Sequence, residues 1–90
     1  MRFEWDQGKA AANLRKHGVS FEEATTALRD DLALTGQDPD HSSGEARYVT
    51  FGVSSQARLL VVAHTEHGGL IRIINARSAT KQERKFYEEG

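Results

Sequence analysis

Residues 58–77, RLLVVAHTEHGGLIRIINAR, decide the fold. Leu59, Leu60, Val61, Val62 and Ala63 form an apolar run that the polar group His64-Thr65-Glu66-His67 ends. Gly68-Gly69 follows, and then Leu70, Ile71, Ile73 and Ile74. Apolar, largely β-branched runs on either side of two glycines mark a hairpin, because a primed turn needs positive φ and matches the twist of its strands. Both strands are apolar at adjacent as well as alternate positions, which predicts the centre of a sheet. Arg58 and Arg77 bracket the hairpin, either as solubilising charges or as the floor of an anion site.

Outward from the hairpin, Glu45–Val53 alternates, with Val49, Phe51 and Val53 on one face and Tyr48 and Thr50 on the other. Ser54–Ala57 is the turn between that strand and the hairpin. Gly36–Gly44 holds the only proline and reads as a polar loop, preceded by a short strand over Leu32–Thr35. Asp38, Asp40 and His41 in the loop suit local turn capping better than a metal. His64 and His67 flank the glycine turn and lack ligand spacing, so they read as solvated turn histidines and no metal or cofactor is expected.

Two helices precede this meander. Asp6 is placed as an N-cap, the segment from Gln7 carries Ala10, Ala11 and Leu14 at helical spacing, and Gly18 is suited to the C′ position. Lys16 and His17 fall in the last turn, where the macrodipole favours cations. Ser20 and Glu23 have capping-box spacing, and Phe21, Ala24, Ala27 and Leu28 give the second helix its buried face. Met1–Trp5 suits a short strand. Beyond the hairpin, Thr80 and Glu83 repeat the capping-box spacing ahead of a helix anchored by Phe86 and Tyr87.

The order predicts an α+β domain spanning residues 1–90. It would have an antiparallel sheet of about four to five strands, two N-terminal helices and one C-terminal helix, with the helices on one sheet face and the other face partly open. The 90 residues, with 12 basic against 13 acidic side chains, give a formal charge of −1. That balance argues against a protein that grips nucleic acid by charge alone. Cysteine is absent, which excludes disulfides and zinc thiolates and fits a reducing cytoplasm. No apolar leader or membrane-spanning run is present, so a cytoplasmic location away from membranes is expected.

Several groups of residues, taken in order, carry a resemblance. They are Phe3-x-Trp5-Asp6, Asn13, the run Lys16-His17-Gly18-Val19-Ser20-Phe21-Glu22-Glu23-Ala24, Asp38 with His41, and Glu45-x-Arg47. Gly52 with Ser54, Arg58-Leu59-Leu60-x-Val62, Thr65-Glu66, Arg72-Ile73-Ile74-x-Ala76-Arg77-x-Ala79-Thr80, and Glu83-Arg84 before Tyr87 continue it. The combination resembles the BrnT family of toxins from type II toxin–antitoxin pairs, over nearly the whole chain. The resemblance implies a fold like RelE-type ribonuclease toxins, RNA cleavage that stops translation, and neutralisation by a BrnA-like ribbon-helix-helix antitoxin. It further implies two toxin copies per antitoxin dimer, with operator DNA bound only through the antitoxin.

Cleaving RNA without metal needs a base for the 2′-OH, cations for the crowded phosphorane, and a proton for the leaving 5′-oxygen. The sequence has no phosphate-binding loop, no paired-carboxylate motif and no cysteine nucleophile, so a metal-free acid–base scheme is the one it suits. Arg58 and Arg77 are the candidate phosphate cations, because a guanidinium can grip two oxygens at once. Lys16 and His17 are candidates for phosphate contact and proton transfer, histidine being the side chain best suited to both directions near neutral pH. Glu45 and Glu66, at strand ends, are candidates for the base or for orienting an arginine. Arg77 shares strand parity with Ile71 and Ile73, which would send it into the core unless the strand breaks near Asn75. Near-neutral charge leaves open whether RNA is taken free or presented by a ribosome. A non-catalytic module that mainly binds the antitoxin is the alternative reading.

Overall fold

The computed structural model describes residues 1–38 and 46–90. Its elements are β1 (Arg2–Glu4), α1 (Gln7–His17), α2 (Phe21–Leu28), β2 (Leu34–Gln37), β3 (Tyr48–Val53), β4 (Leu59–His67), β5 (Leu70–Ser78) and α3 (Lys81–Glu89). The five strands lie in the order β1-β5-β4-β3-β2. The hairpin β4–β5 sits inside the sheet, and Gly68 and Gly69 turn it with φ of 53° and 85°, the two positive values a type I′ turn needs. β2 through β5 pair antiparallel, while β1 joins the outer side of β5 in parallel, so the sheet is mixed.

One face of the sheet meets α1 and α2. Leu60, Val62, Ile71, Ile73 and Ala76 pack there against Val19, Phe21, Ala24, Ala27 and Leu28. Trp5 closes the end of this core edge-on to Phe21, with ring centroids 5.9 Å apart. α2 lies so close over β3 that a β-carbon at Gly52 would collide with the carbonyl of Ala27. Glycine is therefore required at that position by packing.

The buried residue of α1 is Asn13 rather than an apolar one; Ala11 is exposed and Leu14 is 51% exposed. This departs from the stripe the sequence suggests, and the reason is the free edge of β5. β1 pairs only with Leu70–Arg72, so the later half of β5 has no strand on the side away from β4. The Asn13 amide donates to the carbonyls of Ala76 (2.8 Å) and Val19 (2.9 Å), and its oxygen accepts from the Ala76 N–H (3.1 Å). One side chain thus pairs the strand edge as a neighbouring strand would, which removes buried, unsatisfied backbone groups.

β5 contains a bulge. The pairing shifts between Ala63 and His64, so that Ala63 faces Asn75 while His64 faces Ile73. Ile73 and Ala76, three apart, are both buried, where regular alternation would put them on opposite faces. Past the bulge, Arg77 pairs with Val61 and shares its face with Phe51, away from α2. His64 shares the inward face of β4 with Leu60 and Val62, four and two residues before it. His64 is 2% exposed within a strand that runs on to His67, so the reading of a solvated turn histidine is corrected. Its Nε2 lies 2.7 Å from Thr50 Oγ1, itself 2.7 Å from Thr35 Oγ1, and burial lowers its pKa.

α3 lies against the second face instead of joining the other helices, because Phe86 meets Phe51 (6.2 Å) and Glu83 meets Arg77. No residue of α3 is buried. Thr80 caps its first turn in a complete capping box with Glu83, and the Tyr87 hydroxyl makes long bonds to Asp30 (3.4 Å) and the Leu32 carbonyl (3.3 Å). Asp30 also explains why β2 begins two residues later than its apolar letters suggest. Its carboxylate accepts from Leu32 N and its carbonyl from Ala33 N, which holds Asp31–Ala33 in a turn.

Candidate functional site

Lys9, Asn13 and Lys16 recur at i, i+4 and i+7 along α1 and therefore share a face. That face, with Ala12 and His17, forms one wall of a cleft of about 380 Å³; Ile74, Asn75 and Arg77 of β5 form the other. The cleft exists because β1 stops at Glu4, which leaves α1 to cross an unpaired strand edge. Asn13 fixes the two walls against each other from beneath. Lys16 and His17 sit in the last turn of α1, ahead of Gly18 (φ 69°), whose N–H caps Leu14. The Lys16 charge complements the helix terminus, and the same placement brings both side chains into the cleft.

Arg77 reaches the cleft because the bulge releases it from the core parity. Both its terminal nitrogens contact Glu83, at 2.7 and 2.9 Å, in a fork-to-fork pair. The Arg77 guanidinium pulls the Glu83 carboxyl down to about 2, with the Thr80 backbone N–H adding to the effect. Glu83 therefore stays ionised and holds Arg77 at the cleft's rim.

Arg58 is placed differently. Its Nε donates to Glu23 Oε2 at 2.9 Å, and one terminal nitrogen bridges Glu23 Oε1 and the Gly18 carbonyl, the latter at 3.1 Å. The Glu23 side chain is 3% exposed, and Ser54 Oγ donates to it at 2.6 Å. Hydrogen bonding from Arg58 outweighs burial and holds the Glu23 pKa below its ordinary value. The Ser20 hydroxyl accepts from the Glu23 N–H, but the Glu23 carboxylate is committed to Arg58 and Ser54. Only half of the expected capping box is thus made there. Arg58 ties the end of α1 to β4 from behind the cleft.

The structure brings together Lys16, His17 and Arg77, and joins them with Lys9, Asn13 and Asn75. It does not bring Glu66 there. Glu66 is exposed near the glycine turn, five residues along β4 from the Val61 that pairs with Arg77, about 16 Å at the strand rise. Glu45, with Asp40 and His41, lies outside the described residues. Among the described residues no group of three histidine, aspartate or glutamate side chains is placed to hold a metal ion, and no helix is long and apolar enough to cross a membrane. The helical spacing of Lys9, Asn13 and Lys16 was the signal for this wall. The letters marked Asn75 only as the place where a strand break would free Arg77, and its own place in the cleft depends on the bulge found there.

The architecture, two helices against one face of a five-stranded mixed sheet and a third against the other, is shared with a small ribonuclease toxin. The structure matches the crystal structure of the Brucella abortus ribonuclease toxin BrnT with a TM-score of 0.65, covering 90% of this chain and 99% of that one at 23% identity. At that identity the likeness establishes the fold. No curated protein matches the sequence. The family model for the ribonuclease toxin BrnT of type II toxin–antitoxin systems matches residues 5–83, and the chain belongs to that family.

Proposed function

We propose that this chain cleaves RNA in the α1–β5 cleft by metal-independent acid–base chemistry and so inhibits translation. The observation that carries the proposal is the convergence of Lys16, His17 and Arg77 on one cleft. Lys9, Lys16 and Arg77 supply fixed positive charge where a phosphorane would build negative charge. His17 takes the proton of the 2′-OH as the 2′-oxygen attacks phosphorus; the P–O5′ bond breaks, and the 5′-oxygen leaves with a proton from the Lys16 ammonium or from water. The products are a 2′,3′-cyclic phosphate and a 5′-hydroxyl. Arg58 serves by holding the end of α1, which carries Lys16 and His17, in place.

As a family member the chain has an antitoxin as partner. A BrnA-like ribbon-helix-helix dimer holding two toxin copies, and contacting operator DNA itself, is the form proposed here. One observation favours a second reading, a module that chiefly binds the antitoxin. Both candidate arginines are already ion-paired, to Glu23 and Glu83.

The decisive experiment is cleavage of a defined RNA by antitoxin-free protein, first in EDTA without ribosomes and then in magnesium with translating ribosomes. Cyclic-phosphate ends in either arm support the proposal. Absence of cleavage in both arms, or cleavage of the ribosome-free RNA only after a divalent metal is restored, overturns it. Arg77→Ala then separates the two readings, because a catalytic cleft loses growth arrest while antitoxin binding is retained.

A further inference from the structure

Resting on the assignment of the cleft as the RNA site, we infer that it accepts one unpaired nucleotide and that Asn75 reads the edge of its base. The argument starts from the contrast between the two asparagines of the cleft. Asn13 spends its amide on Val19 and Ala76 and its oxygen on the Ala76 N–H, so it has nothing left to offer a ligand. Asn75 is exposed, lines the same cleft, and among the described residues makes no hydrogen bond through its carboxamide. It presents one donor and one acceptor side by side, the pattern that pairs with the edge of a single base.

The surroundings match a nucleotide. Asn75 and Arg77 leave β5 two residues apart, hence on one side of the strand. A base edge at Asn75 thus places the neighbouring phosphate near Arg77, Lys16 and His17. Ala12 and Ile74 line the cleft between these polar groups and give the base an apolar floor. The His17 ring and the Arg77 guanidinium are planar groups of the kind on which unstacked bases lie. At about 380 Å³, the cleft is at the small end of ligand sites, which span about 300–1,000 Å³. A base pair, whose edges are already bonded and whose neighbours are stacked, cannot enter. The formal charge of −1 gives little sequence-independent attraction, which leaves such local contacts to set the choice of RNA.

The test is sequencing of the cut ends from a random single-stranded RNA pool and from its annealed duplex, with the wild-type chain, Asn75→Ala and Asn75→Asp. Wild type is expected to cut single strands with a base preference on the order of tenfold at one position beside the cut, the size one good edge contact gives. Asn75→Ala flattens that position, and Asn75→Asp, which replaces the donor by an acceptor, shifts it to another base. An unchanged preference in both variants, or equal cutting of duplex, overturns the inference. If wild type cuts no RNA, with or without ribosomes, the catalytic reading falls by itself. The nucleotide site is then decided by NMR titration with an unstructured hexanucleotide. Shifts confined to Ala12, Lys16, His17, Ile74, Asn75 and Arg77, and absent with a duplex, sustain it; their absence overturns it.

Discussion

Two arginine–glutamate forks hold this molecule, and they do different jobs. Arg58–Glu23 places a carboxylate with 3% side-chain exposure beneath the end of α1, where Ser54 and the Gly18 carbonyl complete the network. Arg77–Glu83 stands at the cleft's rim, its side chains 38% and 28% exposed, and its glutamate belongs to a helix with no buried residue. The same two side-chain types are fixed structure in one place and an adjustable charge in the other. What differs is the burial of the carboxylate, because water screens an exposed pair while a buried one cannot lose a partner cheaply.

The largest effect is expected for Glu23→Ala. Removing one member of a buried pair typically costs 3–5 kcal/mol. Arg58 is partly exposed here, so the loss should be about 3 kcal/mol, read as a fall in the urea midpoint. A loss below about 1 kcal/mol would put both forks in the same surface class and remove the contrast. Arg77→Ala is expected to leave stability within about 1 kcal/mol, while RNA cleavage falls by roughly 100-fold, the usual scale for one transition-state contact. Equal loss of folding and cleavage in that variant would assign Arg77 to structure and favour the antitoxin-binding reading.

The architecture around these forks was largely legible from the letters. The hairpin with its glycine turn, the two N-terminal helices and the capped third helix follow from periodicity and caps, which are local. What the letters hid came from non-local geometry. The bulge that moves Arg77 off the core face depends on how β4 and β5 register, and the burial of His64 depends on β4 running on to His67 beside β3. The free edge of β5, which makes Asn13 rather than Leu14 the inward residue of α1, depends on β1 stopping at Glu4. The partner of Arg58 is thirty-five positions away, and Glu23 already had a satisfactory local explanation as a cap. Lys16 and His17 show the reverse. The local explanation at the helix terminus and the place in the cleft are both true.

Acid should act on the exposed fork in a defined direction. The Glu83 pKa in the fold is about 2, against an ordinary 4.5. A depressed carboxylate contributes fully above its unfolded value and loses that contribution as pH falls toward its folded one. Stability should therefore decline between about pH 4.5 and 2, with Glu23, Asp30 and Asp6 shifted the same way. Glu83→Gln keeps a capping side chain but removes this proton linkage. Its stability-against-pH curve should consequently be shallower than wild type across that window. Superimposable slopes would mean that Arg77 and Glu83 are not paired in solution.

The smallest effect is expected at the far end of the same helix. The Tyr87 hydroxyl donates to Asp30 at 3.4 Å and to the Leu32 carbonyl at 3.3 Å, both near the long limit of useful hydrogen bonds. Phe86 is 64% exposed over Phe51, so little apolar area resists lifting of α3. Tyr87→Phe should change global stability by no more than about 0.5 kcal/mol, as surface substitutions do. It should nevertheless speed amide exchange within Lys81–Glu89, because a segment with few buried contacts opens on its own. If it lowered the urea midpoint as far as Glu23→Ala does, α3 would unfold with the core. The exposed fork would then be as much a part of the folding unit as the buried one.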